Sequence, residues 1–276
     1  MRGHLHHHRQ GVSHLSFAAV RRTGGHANAF NLREPVDFRV GSAEVPQWNT
    51  LLSEAKKKGA LVSINHPRVP TGEACMGCGW SPDPPTDRSL VQAVEVINGH
   101  DAETQVSGIP FWQEQLQKGR RLTAIGGSDT HDVTSKNVPP PGRIGVPTTV
   151  VYAKELSIDA IMDGIRAGNV FIDTAGSRDR KLELRATYKE STVTMGGQLS
   201  VPAKQSVTFT ARIEQMHGGT VEIIRDGKTT RRTGIPAAKH TWSFEETSDG
   251  QHHWIRIDVR DAEGKLALLG NPIYLN

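Results

Sequence analysis

The segment Gly126-Gly-Ser-Asp129-Thr-His131-Asp132 follows directly on the apolar run 122–125. In extended backbone, residues two apart face the same side, so Asp129 and His131 can offer a carboxylate and an imidazole to one metal ion at the mouth of a sheet or barrel. The plainer alternative is a loop aspartate capping a helix beside an incidental histidine. A Ser128–His131–Asp129 triad is disfavoured, because neighbours on one loop do not line up in a triad and Thr130 breaks the Gly-x-Ser-x-Gly pattern. His66, in Ser63-Ile-Asn-His-Pro67, ends a second apolar run, and His26, in Gly24-Gly-His-Ala-Asn28, begins a third. Each alone is as well explained by a structural histidine. Together, His26, His66, Asp129 and His131 form a donor set suited to zinc, manganese or iron, with spacing alone unable to choose among them.

Around this set stand weaker candidates. Arg143, in Gly142-Arg-Ile-Gly145, and Arg68, beside His66, could clamp an anionic substrate or simply be surface arginines. Asn98 could support the ligands from behind or form a turn with Gly99, and Glu95 lines the same strand. Cys75-Met-Gly-Cys78 lies in a Gly/Pro-rich insertion over 68–87, expected to shape the entrance to the site. Such a pair can be redox-active, half of a zinc site or a small disulfide. With no thioredoxin-like context and no second pair, a local disulfide or free thiols are favoured. A disulfide would imply that the full-length protein is exported, periplasmic or extracellular, although no signal peptide is recognisable in this chain.

The elements that must position these residues follow a βα rhythm. Runs 27–32, 60–65, 93–98, 122–125 and 148–153 have strand length, while 49–58, 109–118 and 158–167 read as helices, each stopped by a glycine. Alternation of strand and helix predicts a mostly parallel sheet. After about residue 176 the grammar changes to alternating strands with Asp226-Gly227 and Ala262-Glu-Gly264 as hairpin turns, which predicts a β-sandwich. Three segments result: an atypical His-rich leader over 1–23, expected to be disordered rather than a metal-binding tract, an α/β domain over 24–176, and a β-sandwich accessory domain over 177–276.

The 276 residues carry 36% hydrophobic and 22% charged residues with a formal charge of +4, values that exclude a disordered chain. No apolar run is long enough to span a bilayer. With only 5% aromatic residues and no basic cluster beside them, nucleic acid is not an expected partner. Phosphate-binding loops, dinucleotide fingerprints and His-Glu-x-x-His helices are missing.

Five blocks, Gly25-His-Ala-Asn-Ala-Phe30, 59–67, Ala93-Val-Glu-Val-Ile-Asn-Gly99, Ile125-Gly-Gly-Ser-Asp-Thr-His131 and 143–153, resemble, in order, the PHP (polymerase and histidinol phosphatase) superfamily of metal-dependent phosphoesterases. The likeness is to its CehA/McbA-type carbamate-hydrolase branch and covers roughly residues 24–175. The resemblance implies an α/β fold in which the C-terminal part of a distorted (β/α)7 barrel precedes the sandwich. It also implies two or three metal ions, with His26, His66, Asp129 and His131 at ligand positions and a metal-activated water as nucleophile. The substrate implied is a small molecule, a phosphate ester, with a carbamate or carboxylic ester as alternative and a non-catalytic protein with a degenerate metal site as rival. The family's opening His-x-His strand, Asp-His block and bridging Glu have no counterpart here. An N-terminally truncated product or mis-started reading frame is therefore expected, with a half-barrel exposing a strand edge. Oligomerisation stays open.

Overall fold

The computed structural model describes residues 25–73, 75–80, 86–131 and 143–276, with the backbone alone of 15–18. The expected leader thus lies outside the described residues, except that Leu15–Ala18 form strand β1. The chain continues through β2 (His26–Phe30), α1 (Trp48–Lys57), β3 (Leu61–Asn65), β4 (Ala93–Asn98), α2 (Ile109–Gln117) and β5 (Thr123–Gly127). Helix α1 buries Trp48, Leu51, Leu52 and Ala55 at helical spacing and carries Lys56 and Lys57 in its last turn, where the helix dipole favours cations. Strands β1 to β5 lie side by side in sequence order in one open sheet. Strands β3, β4 and β5 pair in parallel, whereas β2 pairs antiparallel with both β1 and β3.

Then come β6 (Thr148–Val151), α3 (Ile158–Arg166) and β7 (Val170–Asp173). Helix α3 is capped by Ser157, whose Oγ accepts the Ala160 N–H at 3.2 Å. Ten further strands are β8 (Lys181–Tyr188), β9 (Ser191–Thr194), β10 (Gln198–Leu199), β11 (Ser206–Glu214), β12 (Thr220–Arg225), β13 (Lys228–Gly234), β14 (Lys239–Thr247), β15 (His253–Arg260), β16 (Leu266–Gly270) and β17 (Ile273–Leu275).

The expected portion of a (β/α)7, TIM-like barrel is not formed. The described residues are predominantly β, with three α-helices, and their sheets do not close. The cause lies at the outer edge of β5, where a barrel would add the next parallel strand. There Asn271 accepts the Ala124 N–H at 2.8 Å and donates to the Ala124 and Val170 carbonyls at 3.0 and 2.9 Å. The Thr149 hydroxyl accepts the Gly126 N–H at 2.9 Å and donates to the Gly126 carbonyl at 2.7 Å. Side chains thus satisfy the edge that a strand would otherwise pair. Strand β6 instead pairs antiparallel with β7, and β7 with β16.

Those strands belong to an eight-stranded sheet in which β15 pairs β12 on one edge and β16 and β17 on the other. A four-stranded sheet, β14-β11-β8-β9, covers one of its faces. Ile255, Ile257 and Val259 of β15 pack there with Leu184, Phe209 and Ile213. Trp254, Ile224, Leu266 and Leu269 point the other way, into a core shared with Phe111, Trp112 and Leu116 of α2. On the same face Arg256, 2% exposed, lies over the Trp112 ring and pairs in bidentate fashion with Asp258 at 2.9 and 2.8 Å. Strand β15, which alternation alone suggests is half-buried, is covered on both faces, and the β7–β16 pairing crosses the expected boundary at 176/177.

Candidate metal centre

A parallel sheet gathers the C-terminal ends of its strands at one edge, where loops can converge on a ligand. His66 follows β3 there, Asn98 ends β4, and Asp129 follows β5. Strand β2 is antiparallel, so its first residue arrives at the same edge, His26 opposite Asn65. His26 Nδ1 lies 3.3 Å from His66 Nε2, with the rings edge to face. Two nitrogens about 2.0–2.1 Å from a tetrahedral ion stand about 3.3–3.4 Å apart, so the pair is spaced as two ligands of one cation. His66 is 6% exposed, and its Nδ1 is buried without a hydrogen-bond partner. Burial, then the neighbouring His26, holds the His66 imidazolium disfavoured and lowers its pKa; the Asp129 charge opposes them.

Behind the pair stands Glu95. Its Oε2 accepts the His66 backbone N–H at 3.0 Å and the Asn98 amide at 3.2 Å. The same Asn98 amide reaches Asp129 Oδ2 at 3.2 Å and so ties the two carboxylates together. Burial pushes the Glu95 carboxyl up from 4.5 to about 7; the charges of Asp129 and Asp101 add to this, while the two donated hydrogen bonds oppose it. His66 and Asp129 both adopt left-handed backbone, with φ of +27° and +49°.

Over His26 folds the cysteine loop, residues 75–80. The Gly25 N–H donates to Gly77 at 2.7 Å, the Trp80 indole N–H to the His26 carbonyl at 2.9 Å, and the Trp80 N–H to Pro67 at 2.8 Å. Trp80 is buried against Trp48, ring centroids 4.8 Å apart. Gly25 is obligatory, since at φ +125° an added Cβ would come within 2.8 Å of the Trp80 ring. Cys75 and Cys78 form a disulfide. Cys78 Sγ is 3.8 Å from His26 Nδ1, and the ligand atoms of His26, Cys75 and Cys78 lie within 4.8 Å of one another.

The four residues read as a donor set are therefore distributed unevenly. His26 and His66 meet; Asp129 stands within electrostatic reach of His66 and is exposed; His131, also exposed, is not drawn into the pair. Arg68 and Arg143 are exposed, Arg68 in the turn after His66 and Arg143 on the loop before β6. Sequence reasoning left Glu95 without a role, although a carboxylate within the apolar run Ala93-Val-Glu-Val-Ile97 was the signal for a buried acid. The closeness of the cysteines to His26 had no local signal, because a loop from after β3 delivers them to the start of β2. Among the described residues no helix is long and apolar enough to cross a membrane. Comparison with protein-family models and with curated proteins finds no match to this chain.

Proposed function

We propose that the strand-end cluster binds a divalent metal ion, zinc, manganese or iron, and that the chain is a metal-dependent hydrolase acting on a small phosphate ester. The observation that carries this reading is the His26–His66 nitrogen pair, spaced as two ligands of one ion beside the unpartnered His66 Nδ1. The resemblance of the five sequence blocks to the PHP superfamily supports hydrolysis over simple binding. His26 and His66 would hold the ion, with Asp129 and His131 as further donors from the same edge. A divalent cation supplies Lewis acidity to a water and to the ester oxygen. Asn98 positions the Glu95 and Asp129 carboxylates through its two hydrogen bonds. Glu95, with a carboxyl held up at about 7, can keep a proton at Oε1 near neutral pH and give it up, the property a proton carrier needs. Arg68 and Arg143 offer guanidinium forks to an anionic substrate.

Metal per chain, measured by elemental analysis, and phosphomonoester turnover, followed by phosphorus NMR, test this on wild type and His26→Ala. About one equivalent of metal in wild type, lost in the variant together with at least ~100-fold of turnover, is the expected outcome. Metal and turnover unchanged in the variant overturn it. Metal without turnover on phosphate, carbamate and carboxylic esters leaves a binding protein.

A further inference from the structure

The disulfide beside His26 has a chemical alternative that the surrounding loop is already shaped to accept. We propose that reduction of Cys75–Cys78 creates a thiolate-rich zinc site, with Cys75 Sγ, Cys78 Sγ, His26 and His66 as its four ligands. A tetrahedral site with Zn–S of about 2.3 Å and Zn–N of about 2.0 Å has ligand-to-ligand edges of about 3.3–3.8 Å. The His26–His66 separation is 3.3 Å and the Cys78–His26 separation 3.8 Å; the ligand atoms of His26, Cys75 and Cys78 lie within 4.8 Å of one another and His66 stands outside that group, so on reduction the thiolates must close up on the histidine pair. The cysteine Cα atoms, 5.5 Å apart and three residues apart in sequence, suit two thiolates on one ion as well as a disulfide.

Opening the disulfide does not release the loop. The hydrogen bonds from Gly25 to Gly77 and from Trp80 to His26 and Pro67, and the burial of the Trp80 ring, hold it independently of the sulfurs. Access is asymmetric: Cys78 is buried, whereas Cys75 is partly exposed next to Met76 at the solvent-facing tip. A dithiol reductant therefore attacks Cys75 Sγ as its thiolate, and Cys78 leaves as a thiolate. The second reductant thiol then attacks its own sulfur in the mixed disulfide and frees the Cys75 thiolate. The reductant becomes a disulfide, two electrons pass to the cysteines, and the two reductant protons go to solvent when zinc takes both thiolates. Four protein ligands close the coordination sphere, whereas catalytic zinc keeps a position open. This redox control rests on the proposed function for its meaning, since the thiolates would claim the two histidines that the hydrolase needs; the zinc site itself does not require any hydrolase activity.

The experiment is a zinc titration of the full chain, oxidised and after dithiol reduction, with cobalt(II) as the spectroscopic probe. Expected are at least 100-fold tighter zinc binding in the reduced form and a sulfur-to-cobalt charge-transfer band. Cys75→Ser/Cys78→Ser should abolish the band, with far-UV circular dichroism confirming that the variant is folded. Equal zinc affinity in the two redox states, or a reduced cobalt complex without the sulfur band, overturns the proposal. Equal affinity that is lost in His26→Ala would leave the hydrolase reading standing while this one falls. A sulfur band on a chain that hydrolyses no ester would do the reverse.

Discussion

The Glu95 carboxyl is held between opposed influences: burial with the charges of Asp129 and Asp101 favours the acid, and two N–H donors favour the anion. Burial prevails. Because the folded value, about 7, lies above the ordinary 4.5, the native state keeps a proton that the unfolded chain releases between those pH values. Stability therefore falls as pH rises through that window, by at most about 3 kcal/mol. His66 acts in the opposite sense: its lowered pKa makes stability fall as pH drops below the ordinary 6.5. Glu95→Gln isolates the first effect. In chelator-treated protein, urea unfolding should find the variant more stable relative to wild type at pH 8 than at pH 5, and a difference independent of pH would refute the assignment. That His26, His66 and Asp129 stand at strand ends was legible, because each borders a short apolar run. Which of them touch was not, since contact depends on strand direction, a property that no local pattern carries.

Strand and helix positions follow from periods of 2.0 and 3.6 residues, and α1, α2, α3 and the strands β3 to β6 fall within a few residues of where those periods place them. Pairing is another matter. The βα rhythm predicts that β6 extends the parallel sheet, yet Asn271 occupies part of the backbone edge it would use, and β6 meets that edge at Gly126 through the Thr149 side chain. A single asparagine, isolated before Pro272 in the sequence, gives no sign that it substitutes for a strand. Asn271→Ala leaves the buried Ala124 N–H and carbonyl without a partner, while the Val170 carbonyl keeps the residue-271 backbone N–H at 3.3 Å, and should cost about 2 kcal/mol. The shift of the urea midpoint at unchanged slope measures it; a loss under about 1 kcal/mol would mean that water replaces the amide.

At the scale of the whole molecule, the eight-stranded sheet is a shared wall, with one core between it and the four-stranded sheet and another between it and α2. Neither core can be exposed without uncovering a face of β15. Unfolding is accordingly expected as one transition, with the fluorescence of the five tryptophans, Trp48, Trp80, Trp112, Trp242 and Trp254, coinciding with far-UV circular dichroism. Two separated midpoints would show that the cores melt independently. The Asn271 clasp also sets a timetable. Asn271 is made 147 residues after Ala124, the partner it covers. Thr149 follows Gly126 by 23 residues, but at synthesis rates of ~5–20 residues per second the Ala124 stretch of the β5 edge waits on the order of 10 s for Asn271, a pause in which that stretch is open to pairing with another chain.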